Sequence, residues 1–225
     1  MNTLFSMVIT IVLYIGSRFL VRMYPSPYLN LVFISTVFII MVLNGLNMSY
    51  QDYSMAKEIM TYLLGPATVA LAVPIYKNRE LFISYFHATI IGLLIGSVVT
   101  VGSALLMGSL FHFSKDFYLA LTVKSITTPI AIEIGEIMGG NVELIVGFVI
   151  ITGMLGAMFG AKFLSLVHVH HPFARGLSIG TIAHGIGTAE AVKEGEVQGA
   201  IAGAAMGITG LLTSIIIPVV FDLFH

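Results

Sequence analysis

The sequence predicts an all-α polytopic membrane protein with about seven or eight hydrophobic segments, broken or re-entrant around Pro129 and His184. Three observations carry that prediction. Of 225 residues, 57% are hydrophobic and only 9% charged, whereas about a quarter of an ordinary soluble domain is charged, so lipid must cover most of the surface. Apolar segments follow one another from end to end, and at roughly 20 residues per crossing they fill the chain as a single transmembrane domain over residues 1–225. Prolines, glycines and a few charges interrupt these segments where a plain crossing has no use for them.

The first segment runs from Leu4 to about Leu20, followed by Arg18 and Arg22 at its end. Its charge lies behind the apolar run, so it reads as a retained helix with its N-terminus outside, not a cleavable signal. The second covers about Leu29 to Leu46, with Asn44 and Gly45 marking its end. The third, Ile59 to Tyr76, is interrupted by Pro66 and Pro74, and the fourth, Leu81 to Phe111, is long enough to tilt or protrude. The fifth, Phe117 to Met138, holds Lys124, Pro129, Glu133 and Glu136. Leu144 to Val167, Ala174 to Val192 and Val197 to Phe221 complete the set.

Basic residues test the topology, because Lys and Arg accumulate on the cytoplasmic side. If every segment crosses, they divide almost evenly. If the fifth enters and returns on one side, Arg18, Arg22, Lys77, Arg79, Lys162 and Arg175 fall inside, against Lys57, Lys115 and Lys193 outside. The sequence therefore favours a re-entrant fifth segment, with the Lys115 and Asn141 loops on one face. Weak internal similarity points to a repeated, inverted plan. Pro66, Asn78, Glu80 and Leu81 recur 63 positions later as Pro129, Asn141, Glu143 and Leu144, while Ser125, Ile126, Thr128 and Glu143 recur 53 positions later as Ser178, Ile179, Thr181 and Glu196. Interrupted segments in corresponding places are the expected pointer to a midplane site in secondary transporters.

The densest polar stretch runs from Lys124 to Glu136. Charges at membrane depth are costly and face a bundle interior or a wet cavity. Lys124, Ser125, Thr127 and Thr128 form one cluster, and a half-helix beginning at Pro129 aims its N-terminal amides and positive dipole end at them, which makes an anion site. Glu133 and Glu136 share a face and are candidates to carry a coupling proton or to accept Lys124. The bland alternative is an ion pair of Lys124 with a carboxylate that holds the bundle together. A second cluster holds Thr181, His184 and Thr188 on one helical face among Gly180, Gly185 and Gly187. Glycine at that density destabilises a helix, so unwinding, close packing or ligand approach is expected there, and His184 is a natural proton carrier. Its bland alternative is an interhelical hydrogen bond to a hydroxyl or a backbone carbonyl.

Other classes of function find no support. Net charge is −1, with basic residues scattered singly, which argues against a nucleic-acid partner. Cysteine is absent, so thiolate metal sites and cysteine nucleophiles are excluded. His168, His170 and His171 lack a neighbouring carboxylate and read as a solvated loop, and no nucleophile-elbow or zinc-protease motif occurs. No cofactor, no metal and no enzymatic reaction are expected.

The stretch Lys124-Ser-Ile-Thr-Thr-Pro-Ile-Ala, then Glu133, Met138-Gly-Gly, and Ala183-His-Gly-Ile-Gly-Thr-Ala resembles the LrgB/CidB, or antiholin-like, membrane family. It is also similar to the C-terminal part of the plastid glycolate/glycerate transporters. The resemblance covers essentially the whole chain and implies a multi-pass protein of the bacterial plasma membrane. It implies a separate small partner of the LrgA/CidA type, since the plastid proteins carry that half fused. Two functions are implied: modulation of murein hydrolases and autolysis by a holin-like pore or pore regulator, or transport of small 2-hydroxy- and 2-oxo-carboxylates of the pyruvate, lactate, glycolate and glycerate class. The residues favour the carrier, because a lesion-forming helix has little use for a midplane lysine. In that reading Lys124, Ser125, Thr127, Thr128 and Pro129, with Thr181, His184, Gly185 and Thr188, bind substrate. Glu133, Glu136 or His184 handles a coupling proton or ion, and a homodimer is expected.

Overall fold

The computed structural model describes residues 2–224 except Pro25, Pro27, Tyr28, Leu71 and Asn78, and the described elements are all α-helices. They fall into two compact units, residues 1–70 and residues 71–225.

In the first unit, α1 (Asn2–Met23) packs against α2 (Leu31–Gly45) and against the amphipathic α3 (Tyr50–Tyr62), which α4 (Leu64–Ala70) follows. Leu4, Phe5, Val8, Ile11, Val12 and Ile15 of α1 stand exposed, as lipid-facing residues do. Asn30 caps α2 by accepting from the Val32 and Phe33 amides, Gly45 ends it where the sequence put the end, and Ser49 with Asp52 forms a capping box on α3. Thr10 Oγ1 and Tyr53 OH share a hydrogen bond of 2.8 Å that ties α3 to α1. The expected third segment is not one helix. It breaks at Leu63, because a polar amphipathic α3 cannot continue as a crossing.

In the second unit, α5 (Ala72–Lys77) and α6 (Arg79–Ser84) precede α7 (Phe86–Phe111). The surplus length of the fourth segment is taken up by the break at Tyr85 rather than by tilt alone. Helices α7, α10 (Val142–Leu166) and α12 (Glu196–Phe224) are each long and apolar enough to cross a bilayer. Between the first two lie α8 (Lys115–Val123) and α9 (Thr128–Ile137), and between the second two lies α11 (Pro172–Glu194).

These intervening elements do not cross. The Asn141 amide donates to Asp116 Oδ1 at 3.2 Å, and Leu119 packs at Gly140, so α9 returns alongside α8 and the chain leaves on the side where it entered. This is the re-entrant fifth segment the basic-residue count favoured. The same test bears out the broken or re-entrant helix expected around His184 and corrects the basic-residue count, which lets the seventh segment cross. Residues 175 and 194 of a straight helix lie about 28 Å apart, yet Arg175 Nη2 meets Glu194 Oε1 at 2.6 Å. The reversal occurs at His184, with φ 39° and ψ −137°, and brings Gly187 back against Ile179. Glycines at 185 and 187 supply the slim backbone that a hairpin at this tightness requires.

Chain order then fixes the sides. With α7, α10 and α12 crossing, the α8–α9 hairpin enters from one face and the α11 hairpin from the other. Lys77, Arg79, Lys162, Arg175 and Lys193 lie towards the face where α7 begins, and Lys115 towards the opposite one. The excess of Lys and Arg marks the α11 face as cytoplasmic. Lys193 falls on the basic side because α11 turns back, which sharpens the asymmetry. The helix-plus-hairpin pair recurs, inverted: Phe86 to Val142 and Lys115 to Pro172 are 56 and 57 positions. The 53-residue register is corrected by this, since it sets the hairpin tip at Ser125 against Ser178 in an arm; isolated hydroxyl and isoleucine matches are too common in apolar helices to fix a register. Asn78, on which the 63-residue register leans, lies outside the described residues.

Candidate functional site

The two hairpins end inside the bundle. Nine residues of α8 rise about 13 Å, and the arms of α11 rise about 15 to 18 Å, roughly half of a 30 Å hydrocarbon layer. The tips therefore lie near mid-depth, approached from opposite faces. One residue of α10 serves both: Val149 belongs to the buried apolar cluster of Val123, Ile126, Ala131 and Ile134 around the first tip, and its carbonyl accepts from His184 Nε2 at 2.8 Å at the second.

The first tip holds the polar cluster expected from sequence. Lys124 closes α8 and Thr127 stands at the N-cap of α9, with Thr128 and Pro129 in its first turn. Thr127 has the extended backbone of a capping residue, φ −65° and ψ 142°, yet its hydroxyl caps nothing. Threonine here usually accepts from an amide two or three residues on. Instead Thr127 Oγ1 and Ser125 Oγ are buried with no hydrogen-bond partner, and Lys124, half-buried, forms no ion pair among the described residues. A cation, two unengaged hydroxyls and the positive end of a half-helix thus lie together at one tip, with no carboxylate paired to the cation among the described residues. Unsatisfied buried polar atoms are costly, and in a native fold they call for a ligand or water.

Glu133 and Glu136 are not brought to this tip. Both are exposed on the outer part of α9, so the bland alternative of a Lys124 ion pair is not realised either. Glu133 lines an apolar groove of about 270 Å³ with Pro129, Ile130, Ile134, Ser214 and Pro218.

The second tip is built differently. His184, Thr181 and Thr188 are buried, but each polar group is already engaged. Thr181 Oγ1 donates to the Leu177 carbonyl at 2.6 Å, Thr188 Oγ1 to the His184 carbonyl at 2.7 Å, and the imidazole to Val149. The expected shared helical face is replaced by two arms flanking a turn. Gly153 and Gly156 of α10 admit the tip, since a β-carbon at either would collide with the His184 ring or with Ala183. At its mouth, Arg175 clasps the arms: Nε and Nη2 hold the Glu194 carboxylate, while the remaining guanidinium hydrogens reach Ser165 Oγ and the Val169 and Ala161 carbonyls. Gly185, on the tip, lies near Met206 of α12.

Several polar groups escaped the sequence reading. Arg175 and Glu194, 19 positions apart, carry no local signal of their pairing. Ser97 and Thr209, fully buried in α7 and α12, also lack partners; as single hydroxyls in apolar helices they look like any other. His168 and His170 lie in the exposed loop before α11, and no group of three potential metal ligands converges among the described residues.

Two opposed re-entrant hairpins within an inverted repeat define a multi-pass integral membrane protein built around a mid-depth polar site. The chain belongs to the LrgB-like family, whose profile matches residues 10–223. It is similar to the holin-like protein CidB of Staphylococcus aureus, 32% identical over all of this chain and 98% of that protein. It is likewise similar to the uncharacterized protein YxaC of Bacillus subtilis, 32% identical over 96% of this chain and 94% of the relative. No solved structure matches. With relatives of this kind and its crossing helices, the protein is a multi-pass component of a bacterial cell membrane.

Proposed function

We propose that this protein is a carrier for small carboxylates of the pyruvate, lactate, glycolate and glycerate class. The observation that supports this reading is the first hairpin tip, where Lys124 and the hydroxyls of Ser125 and Thr127 stand unpaired beside the N-terminus of α9. A carboxylate arriving there accepts from the ammonium, the hydroxyls of Ser125, Thr127 and Thr128 and the first amides of α9, while Pro129 fixes the turn. The tip around Thr181, His184, Gly185 and Thr188 forms the opposite wall. Because the hairpins approach from opposite faces, a modest shift of each against the glycine-lined surfaces of α10 and α12 opens the site to one side at a time. Glu133, beside the groove at α9, is the coupling group this proposal favours, with Glu136 and His184 as the others. A homodimer and a small LrgA/CidA-type partner belong to the same proposal and are tested by crosslinking in native membranes.

The test is uptake of labelled pyruvate, lactate, glycolate and glycerate into proteoliposomes containing the full chain. Saturable uptake abolished by Lys124→Ala is the expected result. The name of the Staphylococcus aureus relatives favours a second reading, a holin-like pore or pore regulator acting on murein hydrolases. Leakage of unrelated solutes without saturation supports that reading and overturns the carrier.

A further inference from the structure

Hydroxyls in the second unit follow a simple pattern with telling exceptions. Thr89, Thr100, Ser109, Thr122, Ser165, Thr181 and Thr188 each bond the carbonyl four residues back, the ordinary way a hydroxyl is satisfied in an apolar helix. Ser125 and Thr127 do not, and neither do Ser97 and Thr209, which are 1% and 2% exposed and without a partner.

Ser97 and Thr209 lie on α7 and α12, helices that each pack against both hairpins. Ser97 is one turn from Val101, a member of the cluster that contains Val123 and Ile126 of the first hairpin. It also adjoins Gly96, where a β-carbon would stand 2.8 Å from Thr181 Cγ2 of the second hairpin. Thr209 is placed in the same way. Its neighbour Gly210 faces the Ile130 side chain in the first turn of α9, at 2.6 Å for an added β-carbon, and Met206, one turn earlier, reaches Gly185 beside His184. Helices α7 and α12 pack directly on each other. Ser97 sits on the buried stripe of Leu93, Val101 and Leu105, and Thr209 on that of Thr213, Ile217 and Phe221; Val101, Leu105, Ile217 and Phe221 all join the cluster around α8.

We propose that Ser97 and Thr209 bind the oxygen on C2 of the substrate, hydroxyl or oxo, and so determine that the carrier selects 2-oxygenated acids over plain short-chain acids. This rests on the carrier reading above. The chemistry divides cleanly: the cationic and half-helix donors of the first hairpin suit the charged carboxylate, while neutral groups that both donate and accept suit an uncharged oxygen. A site built to hydrogen-bond such an oxygen rejects the analogue lacking it, because its own buried groups are then left unpaired.

The experiment uses the full chain in proteoliposomes, with labelled lactate uptake competed by unlabelled lactate and by propionate, its 2-deoxy counterpart. In the unmodified protein propionate competes at least about tenfold less well. Thr209→Val and Ser97→Ala each narrow that ratio, and together bring it close to one, while Thr209→Ser retains it. Removing an unsatisfied hydroxyl for an apolar group of similar shape leaves the fold intact, so thermal melting in detergent is unchanged and only the lactate-induced shift in melting is lost. A double variant that transports with the original ratio, or melts with the original lactate shift, overturns the proposal and leaves the carrier standing. Absence of saturable uptake in the unmodified protein overturns both.

Discussion

The two hairpins share a topology and differ in how their polar groups are used. At the tip of α11 every hydroxyl and the imidazole has a partner within the protein, and an ion pair closes the mouth. At the α8–α9 tip the hydroxyls of Ser125 and Thr127 have none, and Lys124 forms no ion pair, among the described residues. Satisfied networks rigidify a fold, whereas unsatisfied ones are tolerated where function needs them. The difference separates a tip whose polar groups are engaged within the protein from one whose hydroxyls are not, although both lie at similar depth.

The sharpest way to break the comparison is sidedness, an all-or-none effect. The chain has no cysteine, so single cysteines at Lys115 and Asn141 should react with an impermeant reagent from one face, and at His171 and Gly195 from the other. Labelling of Lys115→Cys and Asn141→Cys from opposite faces would dissolve the first hairpin. Next in size is the clasp. Glu194→Ala leaves the Arg175 guanidinium buried without its anion and is expected to cost about 3–5 kcal/mol, read as a lowered denaturation midpoint. The double change Arg175→Met with Glu194→Leu should cost less, because it removes both charges together.

Lys124→Met should reverse that signature. Loss of a charge-assisted contact is expected to lower uptake by about a hundredfold, with a melting temperature at or above that of the unmodified protein. The smallest effect falls on His184→Ala, which deprives the Val149 carbonyl of its extra donor and costs about 1–3 kcal/mol of stability. Because the proposed carrier places His184 in the wall opposite Lys124, the KM for lactate per folded molecule should also rise. An unchanged KM would leave His184 a purely structural contact.

Much of this was legible along the chain, and the parts that were not share a cause. Lys124, Thr127 and Pro129 announce a broken helix because each is out of place in an apolar run. The basic-residue count gave the return of that helix without any structure, since lipid leaves few positions for Lys and Arg. The break in α11 was legible in part: the glycines around His184 announced a broken or re-entrant helix there, but the basic-residue count treated the segment as crossing, and the Thr181, His184 and Thr188 spacing reads equally well as one face. The spacing of Glu133 and Glu136 left their surroundings open for a related reason: helical periodicity says which residues share a face and not which way that face turns, and the structure leaves both exposed, with no ion pair to Lys124 among the described residues.

What the sequence determined by itself is the solvent, the helical class and the first hairpin with its cationic tip, which follow from composition and from local breaks in a periodic pattern, together with the family, which rests on the resemblance of its motifs. Only the tertiary structure decided which polar groups are already spent. Whether a hydroxyl or an imidazole has a partner depends on contacts between residues far apart in the chain: His184 meets Val149 and Arg175 meets Glu194, while Ser97 and Thr209 of α7 and α12 meet no partner among the described residues. Hydrogen bonding is short-ranged and directional, so no local pattern reveals which buried donors remain free for a substrate.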